Sequence, residues 1–259
     1  MQKIIATIEA RMTSSRLPGK VLRPLAGKPM LQWLIERIRP ARQIDEIVIA
    51  TSRDESDDSI ELFAARMGVS CFRGSLNDVL GRVTRCAESY HADLVVKLSG
   101  DNPLCHYKLI DAMVSNFTEF KCDFLGTTFM RFSPTWDVPV TFPLGFGVAI
   151  IPARILQEAE RLAEASDDRE SVVKYIIDRP YKYKLGDFQA EEEFSALNRP
   201  ELRLTVDTRK DFELMECIFS TLSSKNLLFP IEEAIEFLDR HPQIRDINKD
   251  VKQKGFCKQ

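Results

Sequence analysis

Three cations, two hydroxyls and a glycine follow the first apolar run of the chain: Arg11, Ser14, Ser15, Arg16, Gly19 and Lys20. Charged nitrogens and hydroxyls donate well to phosphate oxygens, and glycine lets the backbone come close, so this loop suits a polyphosphate. A basic loop of this kind can also be no more than solvated surface. Two aspartates far apart in the chain, Asp101 and Asp207, each end an apolar, strand-like run and precede residues that turn the backbone. Strands remote in sequence can deliver both carboxylates to one crevice. With phosphate oxygens and water completing the shell, such a pair suits Mg²⁺, which seldom takes an all-protein cage. Aspartate is also a preferred helix cap, which is the other role open to both residues.

Groups placed this way need strands that end where the groups stand. Ile4, Ile5, Ala6, Thr7 and Ile8 are mostly β-branched and apolar in succession, which predicts a strand buried on both faces. Met30, Leu31, Leu34, Ile35 and Ile38 recur at helical spacing within Pro29 to Arg39. Strands are predicted at Glu46 to Ala50, Val69 to Phe72, Asp93 to Leu98 and Asp123 to Thr127. Between them lie helices at Ser59 to Met67, from Val79 to about Tyr90, and at Tyr107 to Phe120. This alternation predicts an α/β fold, a doubly wound and mostly parallel sheet with ligands beyond the carboxyl ends of its strands.

The second half is less regular. Phe129 to Phe142 reads as an excursion around Trp136, fit for a flap (about 129–145) or a dimer contact. Beyond it the pattern predicts a strand over Phe146 to Ile151 and helices over Ala153 to Ala165 and Asp167 to Asp178, the last capped by Asp167 or Asp168. A late strand, Leu202 to Val206, stops at Asp207, and helices follow at Arg209 to Ser223 and Pro230 to His241. One domain is expected over 1–246, with 247–259 a loose charged tail.

Four spaced motifs resemble one family. Glu9-Ala-Arg11 with Ser15-Arg16-Leu-Pro-Gly-Lys20 is followed by Leu25-Ala-Gly27-Lys28-Pro29-Met30; later come Arg73-Gly74 with Asp78-Val79-Leu80-Gly81-Arg82, then Ser99-Gly100-Asp101-Asn102-Pro103-Leu104. The last is Arg203-Leu-Thr-Val-Asp207-Thr208 with Asp211-Phe212. Together they resemble the cytidylyltransferases that activate acidic sugars, and most closely the branch named for spore-coat polysaccharide biosynthesis. The similarity runs from Lys3 to about Phe212. It implies a Rossmann-like sheet of the nucleotide-diphospho-sugar transferase type, working as a CTP-dependent nucleotidyltransferase with Mg²⁺ as cofactor. Carried over, it puts Arg16 and Lys20 on the triphosphate, and Ala10, Arg11 and Ser15 beside the nucleotide. Asp101 and Asp207 become the metal ligands and, with Arg16 and Lys20, the catalytic set, with Gly100 adjoining. Thr51 and Ser52 lie where the base pocket begins, and Arg73, Asp78 and Arg82 near the nucleotide. The implied reaction is attack of an acceptor oxygen on the α-phosphorus of CTP, with pyrophosphate leaving. Relatives are often dimers, so a homodimer is expected.

The acceptor half departs from that branch. Gly147 and Ala149 stand where it carries acidic residues, and its Arg-Glu-His-Val-Thr-Pro-Tyr is here Arg169-Glu170-Ser171-Val172-Val173-Lys174-Tyr175. Loss of acid and gain of a lysine imply a pocket for a small anionic acceptor, with Arg169, Glu170 and Lys174 as candidates. These three can also be plain exposed helix charges.

Composition narrows the classes. At 259 residues with 44% hydrophobic and 29% charged residues, the chain can bury a substantial core. A net charge of -3 argues against nucleic acid or an anionic membrane as partner. There is no basic leader with an apolar segment after it and no run long enough to span a bilayer, so a cytoplasmic location is expected. Six cysteines without a CxxC pair and three isolated histidines give no zinc site and no hydrolase triad. Gly27-Lys28 lacks the spacing of a P-loop, and Gly145-Phe-Gly147 that of a dinucleotide fingerprint. Besides the cytidylyltransferase, two readings stay open: an enzyme of the same fold using another nucleotide or a non-sugar phosphorylated acceptor, and a non-catalytic nucleotide-binding relative.

Overall fold

The computed structural model describes residues 2–129, 139–224 and 226–253. The first half alternates as the pattern predicts: β1 (Ile4–Glu9), the short pair β2 (Pro24–Leu25) and β3 (Lys28–Pro29), α1 (Met30–Ile38), β4 (Glu46–Ser52), α2 (Asp58–Met67), β5 (Ser70–Gly74), α3 (Val79–Ser89), β6 (Leu94–Ser99), α4 (Tyr107–Phe120) and β7 (Phe124–Gly126). The second half adds β8 (Ala149–Pro152), α5 (Ala153–Leu162), α6 (Ser166–Arg169), α7 (Lys174–Ile177), β9 (Leu185–Asp187), α8 (Arg209–Leu222), α9 (Ile231–Arg240) and α10 (Pro242–Arg245).

Seven strands form one sheet in the order β5-β4-β1-β6-β8-β7-β9. β8 runs antiparallel to both β6 and β7, and the other pairings are parallel. Side chains on a strand alternate between faces. On β1, Ile4, Ala6 and Ile8 pack with α1, α2, α4, α8 and α9. Ile5 points the other way, into a second core with α3, α5 and α7. The run of apolar residues in β1 is thus the middle layer of three. Glu9 pairs with Ala50 on one side and Ser99 on the other, so β1, β4 and β6 end at one level and their loops open onto one edge.

Three expected elements differ. Leu202 to Val206 is not a strand of the sheet. It is an extended segment that makes, among the described residues, one parallel bridge, Leu144 to Arg203, with Leu204 N donating to Leu144 O (2.5 Å) and, at its end, Val206 N donating to Asp101 O (2.9 Å). It spans two loops instead of lying along a strand, so no ladder forms. Gly145 makes the approach possible. Its φ is +121°, and a Cβ there would stand 2.3 Å from the Leu204 carbonyl. The strand expected from Phe146 begins only at Ala149, because the Thr127 hydroxyl takes the ladder positions, donating to Phe146 O (2.5 Å) and accepting from Val148 N (3.1 Å).

Asp167 to Asp178 breaks into α6 and α7, with the buried β-branched pair Val172 and Val173 dipping into the core between them. Neither Asp167 nor Asp168 caps it; Ala165 holds that position, and Asp168 pairs with Arg179 instead (3.1 Å). At the start of the stretch expected to be a loose tail, Asn248 is anchored: 3% exposed, it donates to Arg203 O (2.9 Å) and Asp211 Oδ1 (2.8 Å). The middle of the expected flap, Trp136 included, and Cys257 lie outside the described residues. Among the described residues no helix is long and apolar enough to cross a membrane, and Cys71, Cys86, Cys105, Cys122 and Cys217 are free thiols.

Candidate active site

The cationic loop leaves β1 at Ala10 and is tied down at its start by Asp57, which accepts from Met12 N (2.7 Å). Gly19, at φ 70°, turns the chain so that its N–H meets Met12 O (2.9 Å), and a short 3₁₀ turn then aims Lys20 inward. Asp101 stands just past β6. Gly100 before it donates to Glu9 O (2.9 Å), where a Cβ would come within 2.9 Å of that oxygen. Asp207 stands at the end of the extended segment that bonds to Asp101 O.

Neither aspartate is a helix cap. His106 caps α4, its Nδ1 accepting from Lys108 N (3.3 Å), and burial holds that imidazole neutral, its pKa lowered to about 3. Thr208 caps α8 in a capping box with Asp211. Both carboxylates are left to meet Lys20. Its ammonium donates to Asp101 Oδ2 (2.9 Å), Asp207 Oδ1 (3.1 Å) and Val206 O (2.6 Å). Arg16 also reaches Asp207 Oδ1 (2.8 Å), and Arg203 holds Asp207 Oδ2 (2.9 Å).

Burial by itself would lower the Lys20 pKa, but the carboxylates of Asp101 and Asp207 outweigh it and raise it. At Asp101 burial works toward a higher value, and the Lys20 and Lys97 charges bring the balance below the usual carboxylate range. Three oxygens converge on one cation, a hard, oxygen-only donor set that fits a divalent ion such as Mg²⁺ when phosphate and water complete it. Among the described residues no cluster of three or more acidic, histidine or cysteine side chains forms an all-protein cage.

Above this cluster lies a cavity of about 440 Å³. Its wall gathers most of the expected set: Ala10, Arg11, Ser15, Arg16, Lys20, Arg82, Asp101, Glu170 and Asp207. On the other side of Asp101 and Asp207 a second recess of about 260 Å³ shares Arg16, Ser99 and both aspartates, and adds Lys97, Asn102, Thr128, Phe129 and Gln253.

Other expected residues stand elsewhere. Thr51 and Ser52 are fully buried; Ser52 Oγ bonds Asp57 (2.5 Å) and so supports the loop from behind. Arg73 turns away to Asp58 (2.7 Å) and Glu61 (2.8 Å). Asp78 caps α3 through Gly81 N (2.9 Å) and pairs with Arg85 (3.1 Å) and Arg169 (3.4 Å). Arg169 is further tied to Glu160 (3.3 Å), and Lys174 pairs with Asp178. Of the three acceptor candidates only Glu170 reaches the cavity, the two cations being held by Asp78, Glu160 and Asp178.

The structure adds residues that the motifs did not single out for a role. Lys97 in β6 and Glu9 in β1 form a buried pair (3.3 Å) beneath both cavities, and Lys97 also donates to Ser99 Oγ (2.8 Å). Burial raises the Glu9 pKa, only partly countered by Lys97 and Arg82, and Glu9 Oε1 has no hydrogen-bond partner among the described residues. A lysine inside the apolar run DLVVKL was the available signal. Asp211, fully buried, accepts from Arg203 (2.8 and 3.1 Å), Asn248 (2.8 Å) and the backbone N–H of Asp207 (3.0 Å) and Thr208 (2.8 Å). It fixes the base of Asp207.

A cationic loop at the end of the central strand, facing two carboxylates across a cavity at the carboxyl edge of a mostly parallel sheet, defines a nucleotidyltransferase of the nucleotide-diphospho-sugar transferase type. Residues 5–237 match the cytidylyltransferase family, and the chain belongs to it. It is therefore a CTP-using nucleotidyltransferase. It is similar to the spore coat polysaccharide biosynthesis protein SpsF of Bacillus subtilis, 32% identical over 247 residues that cover 93% of this chain and 96% of that one. A cytidylyltransferase of Leptospira borgpetersenii superposes with a TM-score of 0.84 at 30% identity, covering 95% of this chain and 97% of that one. The CMP:2-keto-3-deoxy-manno-octonic acid synthetase solved with CTP shares the fold, with a TM-score of 0.62 at 18% identity over 85% of this chain and 99% of that one.

Proposed function

We propose that this chain transfers CMP from CTP to a small acidic sugar or a related anionic acceptor in surface-polysaccharide synthesis, releasing pyrophosphate. The observation that carries this reading is the meeting of the Lys20 ammonium with Asp101 and Asp207 at the floor of a cavity walled by Arg11, Ser15 and Arg16. The triphosphate lies against the loop, where Arg16 and Lys20 stabilise charge on the departing pyrophosphate. Asp101 and Asp207 are the residues that would hold Mg²⁺, which when bound polarises the α-phosphate and lowers the pKa of the acceptor hydroxyl. The second recess is the acceptor side: it adjoins the two aspartates, Lys97 and Arg16 supply positive charge for an anionic group, and Phe129 offers an apolar face to a sugar ring. The names of the B. subtilis and synthetase relatives agree with a carbohydrate acceptor.

Pyrophosphate release is the direct test, measured with CTP, UTP, ATP and GTP over a panel of sugar acids and phosphorylated acceptors. Release with CTP and a sugar acid alone is expected. Turnover with a phosphorylated non-sugar acceptor, or with another nucleotide in preference to CTP, would displace this reading.

A further inference from the structure

Lys20 and a metal ion compete for the same oxygens. The ammonium sits among Asp101 Oδ2, Asp207 Oδ1 and Val206 O at 2.6–3.1 Å, and Lys20 is only 7% exposed. Asp207 Oδ1 is doubly taken, by Lys20 and by Arg16, while its other oxygen is held by Arg203. A divalent ion bridging the two aspartates would need oxygens that the Lys20 ammonium now holds. A bare ion arriving alone would face two tethered cations at close range and would leave the ammonium without its partners.

We propose that Lys20 is a built-in stand-in for the metal, holding the two carboxylates together until the triphosphate arrives. The phosphates then draw Lys20 and Arg16 off the aspartates, and the ion enters with the nucleotide. The exchange keeps the local charge nearly even at each stage: cations leave the carboxylates only as an anion comes to receive them and a divalent ion replaces them. The free protein accordingly has little affinity for Mg²⁺ or Mn²⁺, and nucleotide and metal bind with strong positive coupling. This rests on the proposed function in one respect, that Asp101 and Asp207 are the metal ligands of the loaded enzyme.

Mn²⁺ titration followed by electron paramagnetic resonance tests it without any turnover. Wild type alone should bind Mn²⁺ only weakly, and should gain a tight site that depends on Asp101 once a non-hydrolysable α,β-methylene CTP is present. Lys20→Gln without nucleotide should bind Mn²⁺ roughly 5- to 150-fold more tightly than wild type, the usual range for coupled sites, and adding Asp101→Asn should abolish the gain. Equal Mn²⁺ affinity of free wild type and Lys20→Gln would overturn the inference while leaving the function intact. Absence of an Asp101-dependent site even with the nucleotide analogue would remove the metal assignment itself.

The wild type provides a second readout that does not depend on a variant folding. The ¹⁵N-labelled Lys20 ammonium, slowed in exchange by three hydrogen bonds, should keep its resonance when Mg²⁺ is added alone. It should shift when Mg²⁺ and the analogue are added together. A shift with Mg²⁺ alone speaks against the exchange.

Discussion

Lys20 carries more of the site than any other side chain, because one ammonium links the loop of β1 to both distant aspartates. Replacing it with alanine leaves two carboxylates facing each other and removes a preorganised donor, a change that commonly costs ~10²- to 10³-fold in rate. Lys20→Ala is expected to lose at least ~10²-fold in pyrophosphate release, and Asp101→Ala to lose more; near-normal turnover by either contradicts a catalytic role for that residue. Asp187, at the far edge of the sheet, gives a pH signature separate from catalysis. Burial raises its pKa from 3.8 to about 7, with Gln189 bonded to Oδ2 and Oδ1 without a partner among the described residues. Its folded value lies above its unfolded one, so the native state binds the extra proton. Stability is then greatest below the ordinary aspartate range and declines as pH rises from there to about 7. Asp187→Asn should flatten that decline in urea unfolding between pH 4 and pH 8, and be more stable at pH 8 by on the order of 2 kcal/mol, less than full burial would give because the side chain keeps some solvent contact.

At the scale of elements, the start of α8 matters most. Its capping box fixes the helix, and the same Asp211 that closes the box also holds Arg203, Asn248 and the backbone beneath Asp207. Asp211→Asn keeps the volume but removes the charge that balances Arg203. Groups that orient a metal ligand, the role proposed for Asp207, typically matter by about 10- to 100-fold, and a loss of that size is expected in kcat/KM with α8 still formed by circular dichroism; unchanged kinetics would show that Asp207 positions itself. The strands β1, β4, β5 and β6 were readable because buried parallel strands leave apolar runs, and helices α1 to α4 because one face must be apolar. Leu202 to Val206 misled for the same reason. An apolar extended segment looks like a strand whether it pairs with a strand or, as in this chain, spans two loops.

For the molecule as a whole, binding should be visible as stability. Nucleotide that binds only the folded chain adds about 2.7 kcal/mol at a hundredfold excess over Kd, which for a chain of this size is a rise in Tm of about 5–10 °C. CTP with Mg²⁺ should produce that rise and Mg²⁺ alone should not. Equal shifts with and without nucleotide would contradict both the site and the coupling inferred above.

The α/β order, the cationic loop and the two aspartates were written in the chain itself, since strand burial, turn chemistry and charge are properties of neighbouring residues. Folding alone decided which charges are free to act. Arg73, Asp78, Arg169 and Lys174 were spent on partners that the packing of α2, α3, α5 and α7 happened to place beside them. Glu9, Lys97 and Asp211 became part of the site because strands and a helix far apart in sequence end at one edge of the sheet. No local pattern records such a meeting, for it depends on the register of strands that only the assembled core sets.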